Sequence, residues 1–260
     1  MIRSLAVLLA LAGVAAGAAA ADGAGASAVT TTNSIFAPGG RMYTTAVHSR
    51  RTTLSLWRTG AKARKVTIDG SLGFPVPTSD GTGEGISHDG GTLLLTSRSR
   101  FVAVDARSLA VRRVAVLRGQ FSYDAVSPNG RTLFLIQHAS PTSQHYYVRA
   151  YDLARGRLLR QIIFDAREKG EGPMSGSPVT RATGPSGRWI YTLYVRSSGA
   201  MFVHALDSVD LRAFCVDLPR RITTANVSHT RLELRPGRLT VMAGTKRLAA
   251  IDTKTLRIRR

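Results

Sequence analysis

Five glycine turns punctuate the chain, and the residue six positions ahead of each turn glycine is Ser34, Glu84, Asp124, Arg181 or Arg231. Two acids and two arginines at one equivalent position could hold a polar ligand, or pair with one another as a salt-bridged plug. As chemistry, Glu84 and Asp124 would act as general base or metal ligands. Arg181 or Arg231 would then stabilise an oxyanion, which is the equipment of a hydrolase. The plainer alternative is that polar side chains line a wet channel. Glu84, Asp124, Arg181 and Arg231 are therefore the ligand-binding candidates, and no residue is assigned as catalytic.

Other reactive side chains are sparser. His138 and His145 flank one loop and His48 ends the equivalent strand of the first unit, so three imidazoles could reach one zinc or copper ion. No two of them share a tight metal-ligand spacing, and no metal or other cofactor is expected. Cys215 is the single cysteine; within Phe214-Cys215-Val216 it reads as a small buried side chain. One cysteine also rules out a disulfide framework and any multi-cysteine zinc site. There is no Gly-x-Ser-x-Gly elbow, His-Glu-x-x-His pair, haem-attachment motif or phosphate loop. The run Gly81-Thr82-Gly83-Glu84-Gly85 precedes a strand rather than opening a helix, so it lacks the amide cluster that cradles phosphate. Asn226-Val227-Ser228 is a glycosylation sequon only for a glycosylating host.

The elements that position these residues repeat. The turns are Pro38-Gly39-Gly40-Arg41, Asp89-Gly90-Gly91, Pro128-Asn129-Gly130-Arg131, Pro185-Ser186-Gly187-Arg188 and Pro236-Gly237-Arg238, with glycines 50, 40, 57 and 50 residues apart. After each comes a short apolar run: 42–47, 93–95, 133–136, 189–195 and 239–243. Runs this short, bracketed by Gly and Pro, predict strands buried on both faces. A second run ends in Asp105, Asp152, Asp207 or Asp252, though the first unit ends in Trp57-Arg58 instead. The Asp carboxylate can accept from the amide two residues on and close a tight turn into a further strand. Asp89 and Asn129 do the same in the opening turn. Residues 200–218 carry helical spacing at Met201, Ala205, Leu206 and Val209, but alignment with the other units assigns them to strands.

With the strand ahead of each glycine turn, every unit supplies four antiparallel strands. The expected fold is all-β, a β-propeller of about five four-stranded antiparallel blades, with repeats near 33–82, 83–120, 121–178, 179–227 and 228–260. Ser127-Pro128-Asn129-Gly130-Arg131-Thr132-Leu133-Phe134-Leu135, followed by Val148-Arg149-Ala150-Tyr151-Asp152, resembles the YVTN-type propeller repeat of secreted and surface-layer proteins. Ser87-His88-Asp89-Gly90-Gly91 with Val102-Ala103-Val104-Asp105 is similar to it as well. The resemblance spans 33–260 and implies fold more than function, because that family includes adhesins, scaffolds and lactonase-like enzymes.

The chain has 260 residues, of which 43% are hydrophobic, so it can build a large core. Residues 1–21 have the layout of a secretory signal: Arg3, an apolar run over 5–14, then small residues to a cut after Ala21. Residues 22–32 read as a linker. Without Arg3, 35 basic residues face 16 acidic ones, a net charge of +19 on 239 residues. This favours anionic partners in a salt-dependent way, although 31 arginines to 5 lysines also reflect codon bias and no run of five like charges exists. The expectation is a secreted, non-enzymatic monomer. It would bind an anionic cell-envelope polymer or a protein through the face carrying the long loops 70–83, 138–145 and 166–179. No specific nucleic-acid partner and no integral membrane role are expected. The alternative is a lactonase-like or metal-assisted hydrolase with its site at the channel mouth.

Overall fold

A computed structural model describes residues 33–140, 143, 145–167, 172–219, 222 and 229–259; the leader 1–21, the linker 22–32 and the Asn226 sequon lie outside them. The described chain is all-β, built from five antiparallel sheets, each formed by strands consecutive in sequence. Sheet one contains β1 (Asn33–Ala37), β2 (Arg41–His48), β3 (Arg51–Arg58) and β4 (Ala61–Asp69). Sheet two contains β5 (Thr92–Ser97), β6 (Arg100–Asp105) and β7 (Val111–Val116). Sheet three has β8 (Gln120–Val126), β9 (Thr132–His138), β10 (His145–Asp152) and β11 (Arg157–Ile163), with β12 (Met174–Ser175) paired to β10. Sheet four has β13 (Ser177–Thr183), β14 (Trp189–Val195), β15 (Met201–Asp207) and β16 (Arg212–Asp217). Sheet five has β17 (Thr230–Arg235), β18 (Arg238–Ala243), β19 (Lys246–Asp252) and β20 (Arg257–Ile258). The helically spaced stretch 200–218 is thus the β15–β16 hairpin.

The burial pattern explains the unbroken apolar runs. Leu93, Leu94 and Leu95 of β5, and Leu133, Phe134 and Leu135 of β9, are all fully buried, so neighbours cover both faces of these middle strands. Four apolar clusters do the covering. They join sheets one and two, two and three, three and four, and four and five. Among the described residues no cluster joins sheet five to sheet one, and Phe36 on β1 is 76% exposed.

The Asp turns form as the residue types require. Asp105 Oδ1 accepts from the amides of Arg107 and Ser108, Asp207 Oδ1 from Val209 and Asp210, and Asp252 Oδ1 from Lys254 and Thr255. Asp152 bonds the amide of Arg155. Four residues beyond each Asp the backbone is left-handed: Leu109 (φ 63°), Gly156 (φ 72°), Leu211 (φ 54°) and Leu256 (φ 52°). A leucine in that region is strained by about 1–2 kcal/mol, and burial of Leu109 and Leu256 offsets it.

Sheet two departs from the expected four strands. Its inner segment, residues 83–87, keeps the Ile86–Leu93 bridge and two backbone bonds, Leu94 N–H to Gly85 O and Ser87 N–H to Thr92 O, with Ser87 Oγ accepting from Thr92 N–H as well. Glu84 N–H donates instead to Pro75 O, and Gly85 bends at φ 111°. A Cβ on Gly85 would meet Pro75 Cδ at 2.7 Å and the Leu94 carbonyl oxygen at 2.8 Å. Gly85→Ala should therefore destabilise the fold by about 2 kcal/mol, read as a lowered urea midpoint at unchanged slope.

Every outer strand up to sheet three is clasped to the Asp turn of the next sheet. Arg64 donates to the carbonyls of Arg107 and Ser108, Arg113 to those of Leu153 and Ala154, and Gln161 to that of Leu211. Part of the arginine content is thus structural.

Candidate functional site

Three of the four candidate residues meet. Glu84 enters from the inner segment of sheet two, Asp124 from β8 and Arg181 from β13, so the contact draws sheets two, three and four together. Arg181 Nη1 lies 3.0 Å from Glu84 Oε2, and Nη2 lies 2.6 Å from Asp124 Oδ1. Nη1 also donates to the Asp124 carbonyl, and Nε donates to Thr192 Oγ1 at 2.9 Å. The Arg181 and Asp124 side chains are 4% and 3% exposed, and that of Glu84 is 25% exposed. Asp124 Oδ2 has no hydrogen-bond partner among the described residues.

The electrostatics follow from this burial. Burial alone would lower the Arg181 pKa, but Glu84 and Asp124 outweigh it and raise the pKa above its ordinary value. Burial pushes the Glu84 carboxyl up, and Arg181 only partly offsets this. Tyr123, on the same strand as Asp124, is also pushed up by burial, with Glu84 adding to the effect. One guanidinium therefore faces two carboxylates and binds both. The arrangement is the salt-bridged plug, and it engages one carboxylate oxygen of each acid.

Arg231 is not part of it. It is half-exposed on β17 and pairs with Glu233 two residues on, at 2.6 Å, and with the Gly244 carbonyl. Ser34 is exposed on β1. The physical reason is local: β17 carries its own carboxylate, and a second guanidinium beside Arg181 would meet like charge.

Asp80 and its loop carry no mark in the repeat pattern, yet they close one end of the site. The long connection 70–83 is packed rather than free: Leu72 and Phe74 are buried in the cluster between sheets one and two. Its tip crosses to sheet four, where Ser79 N–H donates to Pro178 O and Asp80 N–H to Val179 O, both at 3.1 Å. Asp80 Oδ1 accepts from Thr78 Oγ1 and Thr82 N–H. From the plug, a cavity of about 300 Å³ runs to the end bearing the glycine turns, lined by Phe36, Glu84, His88, Tyr123, Thr183 and Ile190.

The remaining candidates scatter. Among the described residues no group of three or more His, Cys, Asp or Glu side chains could hold a metal ion, so His48, His138 and His145 do not converge. Cys215 is half-buried rather than fully buried. Its amide donates to Asp165 Oδ2 at 2.8 Å, and its sulfur lies 3.8 Å from His204 Nδ1. Burial holds the His204 imidazole below its ordinary pKa. No described helix is long and apolar enough to cross a membrane.

No protein-family model matches the chain, and no curated protein matches it in sequence. Solved structures do. A chain of Kuenenia stuttgartiensis hydrazine synthase is 15% identical with a TM-score of 0.51, over 82% of this chain and 62% of that one. The tricorn protease is 11% identical with a TM-score of 0.48, over 85% and 25%. TolB from Acinetobacter baumannii is 11% identical with a TM-score of 0.43, over 82% and 49%. The chain thus spans less than two thirds of each. The likeness to hydrazine synthase concerns the arrangement of strands alone.

Proposed function

We propose that the chain is an exported, non-enzymatic β-propeller of the YVTN-like kind, acting as a binding module for an anionic cell-envelope polymer. The observation that carries this reading is Arg181, which binds both Glu84 and Asp124 in a buried contact. The residues a channel-mouth hydrolase would need are thereby committed to holding three sheets together. The acids are also spent elsewhere: Asp89, Asp105, Asp152, Asp207 and Asp252 cap turns. The net positive charge is then left on the outside, where it attracts polyanions. Face-to-face packing of successive sheets and the hydrazine synthase likeness support the propeller. The composition of residues 1–21 supports export.

The test is equilibrium binding of residues 22–260 to dextran sulfate at about 50 mM and about 500 mM salt, where screening lengths differ severalfold. Binding at low salt that falls at least tenfold at high salt is expected, and Glu84→Gln should leave it unchanged. Absence of low-salt binding, or turnover of a lactone or ester that Glu84→Gln abolishes, would overturn the reading.

A further inference from the structure

We infer that the cleft between sheets two and three, on the rim formed by the glycine and Asp turns, is the subsite that takes the sulfate or phosphate groups of an anionic polysaccharide. This rests on the polyanion-binding reading above and gives it a place. The cleft has a volume of about 470 Å³ and is lined by Arg112, Arg113 and Arg131. A second depression of about 510 Å³ shares Arg131 and adds Arg155 and Asp152.

The charges in the two depressions do not cancel. Arg112 is paired with Asp105 and Arg155 with Asp152, so these four groups are neutral together. Among the described residues Arg113 bonds only carbonyl oxygens, those of Leu153 at 3.0 Å and Ala154 at 2.8 Å. The Arg131 side chain makes no hydrogen bond or ion pair among the described residues; only its backbone is engaged, the amide with Ser127 and Asn129 and the carbonyl with the Leu153 amide. Two positive charges are left over, one fixed in place and one free to turn. Gly156 is what lets Arg113 sit so low: a Cβ there would lie 2.8 Å from its Nη1. A guanidinium already held by carbonyls loses little freedom on meeting an anion.

The repeat supplies its own controls. Between sheets one and two Arg64 makes the clasp, but Gly91 stands where Arg131 would be. Between sheets three and four Gln161 replaces the clasping arginine, and Arg188 is tied to Asp207 and Asp210. The interval between sheets two and three keeps both guanidiniums free of carboxylates. A tetrahedral oxyanion offers three oxygens to donors arriving from several sides, where a carboxylate offers two, which favours sulfate or phosphate esters over acidic peptide. Two adjoining depressions sharing Arg131 fit consecutive groups along a chain rather than one free ion.

The experiment compares Arg131→Glu with Lys62→Glu, an equal charge change at an exposed residue of β4. The probes are a dextran sulfate oligomer, inorganic sulfate and oligoglutamate, each at low salt. Arg131→Glu should weaken dextran sulfate binding about tenfold or more and Lys62→Glu less than about twofold, with both melting like the parent. Inorganic sulfate and oligoglutamate should bind far more weakly than the oligomer. Equal losses in the two variants, or oligoglutamate binding as tight as dextran sulfate, would overturn the subsite while leaving surface binding intact. No binding of dextran sulfate by the parent would overturn the functional reading and the subsite with it.

Discussion

Replacing Arg181 with methionine should lower the melting temperature by roughly 10 °C. The substitution keeps most of the volume and removes the charge, leaving Asp124, which is 3% exposed, and Glu84 facing each other with no cation between them. Breaking a buried pair in this way costs about 3–5 kcal/mol, because the stranded charges keep their desolvation penalty. The pH dependence should steepen as well. A buried carboxyl whose folded pKa lies above its unfolded value penalises the fold at higher pH, and the penalty lifts as pH falls through the folded value. Glu84 is already raised with Arg181 present. In the methionine variant stability should therefore rise as pH drops from neutrality toward the unfolded carboxyl value of about 4, where the parent gains far less. Adding Glu84→Gln and Asp124→Asn to the variant should restore most of the lost stability and flatten that slope. Thermal melts of the parent, the single and the triple variant across this range decide it; a single variant that melts like the parent would mean that the plug contributes no net stability.

The plug shows what the sequence could and could not reveal. Counting back from the turn glycines put Glu84, Asp124 and Arg181 at one structural position, and salt-bridged pairing was one of the outcomes that their charges allowed. Nothing in that count separated Arg181 from Arg231. The difference is Glu233, two residues along β17 on the same face, which gives Arg231 a partner at 2.6 Å without leaving its own strand. Nor does a repeat signal report insertions, because insertions are what the repeats do not share. Residues 70–83 looked like a surface loop by length, yet Leu72 and Phe74 are core residues and Asp80 anchors a strap across to β13. The strands were more legible, since period and turn chemistry are local. Sheet two lost its inner strand for a reason visible only in three dimensions: Glu84 N–H turns to Pro75 O instead of to β5.

Asp207→Ala should cost about 3 kcal/mol, and it should stand apart from the same change in the sister turns. All four Asp turns share one task, but their surroundings differ. Asp207 is fully buried, accepts from the amides of Val209 and Asp210, and is gripped by Arg188 through Nε at 2.9 Å and Nη2 at 2.7 Å. Arg212 approaches the same carboxylate at 3.4 Å. Truncation would strand two turn amides beside Ser208, itself buried, and leave Arg188 to Asp210 alone. Asp252 keeps the amide contacts but sits in an exposed turn, so water replaces what its truncation removes and the loss should be smaller. Acid titration offers an independent check. Burial pushes the Asp207 carboxyl up, but the Arg188 bonds and turn amides outweigh it and hold the pKa below the usual value. For Asp105 the Ser108 amide leads the causes that bring the pKa down to about 2. Depressed carboxyls stabilise the fold above their unfolded pKa of about 4, and that contribution disappears as pH falls through the folded values. The parent should lose stability between about pH 4 and pH 2, and Asp207→Ala should lose less across the same window because its share is already gone. Urea midpoints of both proteins across that window measure the difference; parallel curves would show that Asp207 holds its turn by shape rather than by charge.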